Sequence, residues 1–285
     1  MIYFLLYNSI NVVFAMRENA FAGSFYPRSK TELRDFIKAA LVSSKPFSDK
    51  PISIIVPHAG YIYSGSTAAE AYASVSKFKS EFDSVVLIGP NHTGLGSPIG
   101  ISMEDWKTPL GISVCDKEFA SAITKDCEIA EQDEDSHAEE HSIEVQLPFI
   151  QYIFGSIPFV AICMGVQDFE ASKCISDAIY DASKKLGRKP IVIASSDFNH
   201  YESETIAKSK DMPLIKKLEL MDPEGFNKGV IESGDTACGY GPSTVALLYA
   251  KSMGAKKATL LKYTNSGEKT GDKSNVVAYA ALVFS

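Results

Sequence analysis

Residues 52–75 read ISIIVPHAGYIYSGSTAAEAYASV, and this stretch decides the fold. Its first five residues form an apolar run of the length of a buried strand. Residues 67–75, rich in small side chains, then read as a helix. The same alternation recurs along the chain. Residues 85–88, 159–163 and 191–194 are further apolar runs, and 169–186 reads as a helix that Asp168 can cap. Upstream, Ser29-Lys-Thr-Glu32 is a capping box, and Leu33, Phe36, Ile37, Ala40 and Leu41 follow at the spacing of one helical face. Asp222-Pro223 and Gly241-Pro242-Ser243 open two later helices, because proline is tolerated in a first turn, and 260–263 and 276–284 read as closing strands. Buried strands alternating with helices predict a three-layer α/β/α architecture around a mainly parallel or mixed central sheet. No internal repeat or long linker divides the chain, so residues 16–285 are expected to form one domain.

Composition narrows the function classes. Hydrophobic residues make up 45% and charged residues 22% of the 285, values that supply a large core and exclude disorder. A formal net charge of −7 gives phosphate backbones no general attraction, which sets nucleic acid aside as a partner. Five cysteines, Cys115, Cys127, Cys163, Cys174 and Cys238, are scattered without a C-x-x-C pair. That usage suits a reducing cytoplasm, with the first four read as core thiols. Residues 1–15 (MIYFLLYNSINVVFA) are apolar, yet they carry no Lys or Arg ahead of the apolar part and fall short of the ~20 residues that cross a bilayer. They read as an over-long start before Met16 or an N-terminal extension that packs on the domain, ahead of the alternative of a weak signal sequence, and no membrane partner is expected.

The histidines carry the chemical signal. His58 follows the first strand in VPHAGY, His92 the second in LIGPNH, and Asp197 and His200 the fourth in ASSDFNH. Ligands of open α/β sheets bind beyond the carboxyl ends of the strands, so these side chains are expected to share one edge. His141 lies in a helix-like stretch, Glu140-His-Ser-Ile-Glu-Val-Gln-Leu147, where Glu144 is expected to share its face. Cys238 precedes a helix, a position that favours the thiolate and hence metal binding or nucleophilic attack. The acidic run 128–140, which contains His137, reads as a solvated loop. Gly60-Tyr-Ile-Tyr-Ser-Gly65 lacks both the lysine of a phosphate loop and the spacing of a dinucleotide fingerprint.

Six ordered motifs resemble the Memo family, whose fold is related to the class III extradiol ring-cleaving dioxygenases. They are Ala22-Gly-Ser-Phe-Tyr-Pro27, Val56-Pro-His-Ala-Gly-Tyr61, Gly89-Pro-Asn-His92, Glu140-His-Ser-Ile-Glu-Val-Gln-Leu-Pro148, Ser195-Ser-Asp-Phe-Asn-His200 and Cys238-Gly. The resemblance implies one mononuclear non-haem metal ion, Fe(II) before copper or zinc, held by His58, His92 and Cys238. His200, Asp197 and His141 would line the same pocket as catalytic groups. It also implies association with a radical-SAM protein, and links to signalling, copper handling and redox control in animal relatives. Cys238 stands where those dioxygenases place a carboxylate, so ordinary catechol cleavage is not expected.

The reading that follows is a cytoplasmic metalloprotein doing redox or oxygen chemistry on a small molecule or modified peptide. In it, His200, oriented by Asp197, serves as acid and base. Two rivals stand beside it: a non-catalytic module binding a peptide or phosphorylated ligand in the same pocket, and a zinc-dependent hydrolase.

Overall fold

The computed structural model describes residues 16–285, and the expected N-terminal extension lies outside the described residues. A nine-stranded mixed sheet forms its middle layer. The central four strands are parallel and lie in the order Ser53–Val56, Pro190–Ser195, Ser84–Pro90, Phe159–Met164. Ile99–Ile101 extends one side antiparallel, followed by Ala130–Gln132. Val276–Phe284 closes the other side, antiparallel to Ser53–Val56, and pairs in turn with Ala258–Asn265 and His200–Glu202.

Side chains of the central strands alternate between two cores. Ile55 packs with the helices Phe169–Leu186 and Tyr240–Ser252, whereas Ile54 and Val56 pack with Lys30–Val42 and Tyr61–Lys77. The strands are therefore buried at every position and apolar at nearly all, since both faces are covered. This is the expected α/β fold, with the sheet mixed rather than all parallel.

Local chemistry sets the helix starts. Ser29 accepts the Glu32 amide, Asp168 the Ala171 amide at 2.8 Å and Asp222 the Gly225 amide at 3.0 Å. The helix expected over 67–75 begins earlier, at Tyr61, and runs to Lys77. The small strands Met16–Arg17, Asp105–Thr108 and Gly111–Ser113 form a second sheet that the sequence pattern did not announce.

Two expectations are corrected. Cys127 and Cys174 are not separate core thiols: a disulfide joins them, with Cα atoms 5.5 Å apart, tying the end of helix Lys117–Asp126 to helix Phe169–Leu186. Nor is 128–140 solvated throughout: Glu128, Glu131 and Glu139 are exposed, but Ser136, His137 and Glu140 are fully buried. Its acidic side chains serve backbone amides of the neighbouring loop, Asp133 accepting from Ser97 and Glu134 from Met103. That satisfaction lets the segment turn inward. Among the described residues no helix is long and apolar enough to cross a membrane.

Candidate metal centre

The three strands whose ends carry candidate residues are neighbours, and this adjacency makes the site. His58 leaves Ser53–Val56, Asp197 leaves Pro190–Ser195 and His92 leaves Ser84–Pro90, all at the carboxyl edge. His141 enters from the loop before the helix Leu147–Phe154, and Cys238 from the turn before Tyr240–Ser252. Both loops need close approach. A Cβ on Gly89 would collide with Ser142 and Ile143, and one on Gly239 with Ser195 and Ser196, so glycine at each position lets the loops settle against the strand ends. The resulting cavity has a volume of about 820 Å³ and is open to solvent.

His58, His92 and His141 each offer a ligand atom within 4.8 Å of the other two. The His92 and His141 rings stack with centroids 4.7 Å apart, and His58 meets both edge-on at 5.2 and 5.3 Å. Cys238 is not in that set of three, yet its Sγ lies 3.2 Å from His58 Nε2. His200 lines the same cavity.

Hydrogen bonds decide which nitrogen faces the cavity. Ser195 Oγ donates to the Ser142 carbonyl at 2.7 Å and accepts from Gln146 Nε2 at 2.8 Å, so its one proton is committed. His58 Nδ1, 2.9 Å from the same oxygen, must then be the donor, and Nε2 keeps its lone pair. His92 Nδ1 sits 2.9 Å from Glu140 Oε1, and His141 Nδ1 3.4 Å from the same oxygen. A carboxylate only accepts, so His92 also carries Nδ1–H, whereas His141 meets the same oxygen as a charge contact without a formed hydrogen bond. His200 Nδ1 donates to the Thr236 carbonyl at 3.0 Å. Three imidazoles, His58, His92 and His200, therefore share one tautomer, with Nε2 left to accept. This is the donor chemistry a divalent transition metal takes.

Burial favours the neutral form of His58, His141 and His200. Burial pushes His58 well below the usual histidine range, the neighbouring histidines adding to it, and pushes His141 to about 4. His200 is lowered as well, again by burial first. Burial would raise Glu140, but the hydrogen bond and charge of His92 and the Ser142 and His92 amides outweigh it and hold the carboxyl at about 2.

Three expectations about roles change. Asp197 does not orient His200: its Oδ1 accepts the His58 amide at 2.8 Å, so it fixes the turn carrying His58, and the Thr236 carbonyl orients His200 instead. Glu144 does not pair with His141, because 140–143 is not regular helix. Glu144 instead accepts from Arg17, Tyr26 and the Ala20 and Phe21 amides. The Cys238 thiol is not favoured as thiolate, since burial and the nearby Asp197 carboxyl raise it well above its ordinary value.

Sequence reasoning also missed Glu140, Ser142, Gln146 and Ser195. The signal was present: Glu140, Ser142, Glu144 and Gln146 alternate with other residues in one short motif, and all four are buried.

Fold and site together define an α/β protein with a histidine cluster able to hold a metal at the carboxyl edge of its parallel strands. The family profile described as "Memo-like protein" matches residues 17–283, and the chain belongs to the Memo family. It is 40% identical to the MEMO1 family protein MK0963 of Methanopyrus kandleri, over 94% of this chain and 98% of that protein. It is 42% identical to the MEMO1 family protein MmarC5_0191 of Methanococcus maripaludis, over 94% and 99%. Among solved structures, uncharacterized protein JW3007 from Escherichia coli K12 superposes with a TM-score of 0.53 at 11% identity, covering 81% of this chain and 98% of that one. That likeness shows a shared fold.

Proposed function

We propose that this Memo-family protein is a mononuclear metalloprotein that carries out redox or oxygen chemistry on an uncharged small molecule or peptide side chain. One observation carries the reading: a buried, a half-buried and an exposed histidine each offer a ring nitrogen within 4.8 Å of the other two. His58, His92 and His141 would hold the ion, with Cys238 close enough to His58 to join as thiolate. Fe(II) or copper would supply the electron-transfer capacity the side chains lack. His200, fixed through Nδ1, has Nε2 free to accept or deliver a proton to a bound molecule.

The lining of the cavity weighs against a phosphorylated ligand. Beyond the histidines it consists of Asp197, Cys238 and neutral groups such as Tyr63, Ser266 and Asn275, with no Lys or Arg among the lining residues. Phosphate recognition relies on such cations. Metal analysis of protein purified without oxygen, followed by O₂ uptake with uncharged phenols and catechols, tests the proposal. Bound iron or copper with O₂ consumption supports it. Zinc alone supports the hydrolase, and absence of any metal supports the binding module.

A further inference from the structure

We propose that Glu140 is the positioning residue of this site: one carboxylate that sets the tautomer and orientation of two of the three clustered histidines. Its relevance to metal binding rests on the reading above, but its effect on the histidines does not.

The geometry is specific. Glu140 is fully buried, and while both of its oxygens hold His92, Oε1 also reaches the loop of His141. Oε2 accepts the His92 amide at 2.6 Å, while Oε1 accepts His92 Nδ1–H at 2.9 Å, so backbone and ring of His92 are both fixed by one side chain. Oε1 also accepts the Ser142 amide at 2.8 Å and faces His141 Nδ1 at 3.4 Å. Glu140 therefore ties the loop after strand Ser84–Pro90 to the loop that delivers His141. Its own backbone is anchored from outside the cavity, the Glu140 carbonyl accepting from Arg17 at 3.0 Å. Phe25 covers the free side of His141, with ring centroids 4.5 Å apart, so the ring is confined between an aromatic face and a carboxylate.

Two consequences follow. The hydrogen bond to Glu140 places the proton of His92 on Nδ1, and the same carboxylate 3.4 Å from His141 Nδ1 favours that tautomer there, leaving both Nε2 atoms as lone-pair donors before any ion arrives. The carboxylate also places a negative charge one hydrogen bond away from neutral ligands, which favours a cation and strengthens the imidazoles as donors. Glu140 makes no hydrogen bond to His58, whose ring is set by Ser195 and Gln146. The two orienting devices meet only through Ser142, whose amide is held by Glu140 and whose carbonyl accepts from Ser195, so a change at Glu140 reaches His92 directly and His58 only through that backbone.

The experiment uses ¹⁵N-labelled, metal-free full-length protein, with ring tautomers read by long-range ¹H–¹⁵N NMR. In the wild type, His58, His92, His141 and His200 are expected as Nδ1–H tautomers. Glu140→Met, of similar length but with no acceptor, should leave His92 and His141 without a fixed tautomer while His58 and His200 keep theirs. Glu140→Gln retains an acceptor oxygen without the charge and should restore the His92 tautomer. Co(II) affinity by chelator competition should fall about 10–100-fold in Glu140→Met and recover only partly in Glu140→Gln. Unchanged His92 and His141 tautomers in Glu140→Met, or equal disturbance of all four rings, would overturn the proposal. Should Glu140→Met fail to fold, the wild-type spectrum decides alone: protons on Nε2 of His92 and His141 refute it, and protons on Nδ1 uphold it. A wild type that binds no Co(II) yet shows the tautomer pattern defeats the metal reading and leaves the positioning role standing.

Discussion

Sγ of Cys238 lies 3.2 Å from Nε2 of His58, although 180 positions separate the two residues in the chain. His58 Nδ1 carries its proton toward Ser195, so the thiol must donate to Nε2. A metal that takes both groups has to displace that thiol proton. His58 and His141 are held neutral by burial and release none near neutral pH. Metal affinity is therefore expected to rise about tenfold per pH unit across neutrality, the slope of one displaced proton. Cys238→Ser should flatten that slope and lower the affinity, as measured by Co(II) competition at several pH values. An identical slope in the variant would remove Cys238 from the ligand set and leave the three histidines alone.

Arg17 is a second point of leverage, remote from the cavity. Its guanidinium contacts Glu144 at 2.5 Å, donates to the His137 and Glu140 carbonyls, and lies over the Trp106 ring at 4.2 Å. Both partners of the ion pair are buried. Removing one leaves an uncompensated charge, so Arg17→Ala should cost about 3–5 kcal/mol in denaturant unfolding. A loss under ~1 kcal/mol would mean that water reaches Glu144 and solvates it.

Asp211 predicts a pH dependence of stability. It is fully buried, accepts from Tyr263 at 2.6 Å and from the Asn199 amide at 3.1 Å, and lies beside Asp235. Burial first, then the Asp235 charge, raises its carboxyl from 3.8 to about 8. The folded state thus holds a proton that the unfolded chain releases. Stability from this group is complete below the unfolded value and is lost as pH rises through the folded one. Asp211→Asn should remove that decline, gaining on the order of a few kcal/mol over wild type above about pH 8 and little below about pH 4. Urea midpoints at both ends check it. A constant difference across the range would show that Asp211 is ionised throughout.

The sheet and the cavity edge were legible in the sequence for one physical reason: central parallel strands are buried on both faces and almost wholly apolar, so charged and imidazole side chains beyond their ends stand out. His58, His92, Asp197 and His200 were found that way. Roles were less legible than positions. Asp197 orients the His58 backbone rather than His200, a distinction that depends on two strands being adjacent in space. Glu140 escaped because an acidic residue in an acidic run reads as solvent-facing, and its burial follows from pairing with a histidine 48 positions away. Cys127 and Cys174, 47 apart, gave no local pattern to mark their bond.

Tyr201 offers a test of where the fold carries strain. It sits at the cavity rim beside His200, its side chain is 75% exposed, and its φ is +63°, in the left-handed region. That conformation costs a residue with a Cβ about 1–2 kcal/mol. Little packing compensates so exposed a ring. Alanine ordinarily stabilises a strand by about 0.5–1 kcal/mol over glycine. At position 201 the order should reverse: Tyr201→Gly relieves the strain, whereas Tyr201→Ala keeps it and loses the ring. Tyr201→Gly is therefore expected to melt at or above wild type, and Tyr201→Ala below Tyr201→Gly by an amount on the order of 1 kcal/mol. Since the strained ring adds little to stability, its place at the mouth of the histidine cavity points to contact with what enters. The same two variants should then weaken binding of an uncharged phenol to the metal-free cavity equally, by loss of the shared ring. Thermal melts and NMR titration with p-cresol measure the two effects. A Tyr201→Ala variant as stable as Tyr201→Gly would show that the backbone at 201 relaxes out of the left-handed region, and undiminished p-cresol shifts in both variants would exclude the ring from the binding surface.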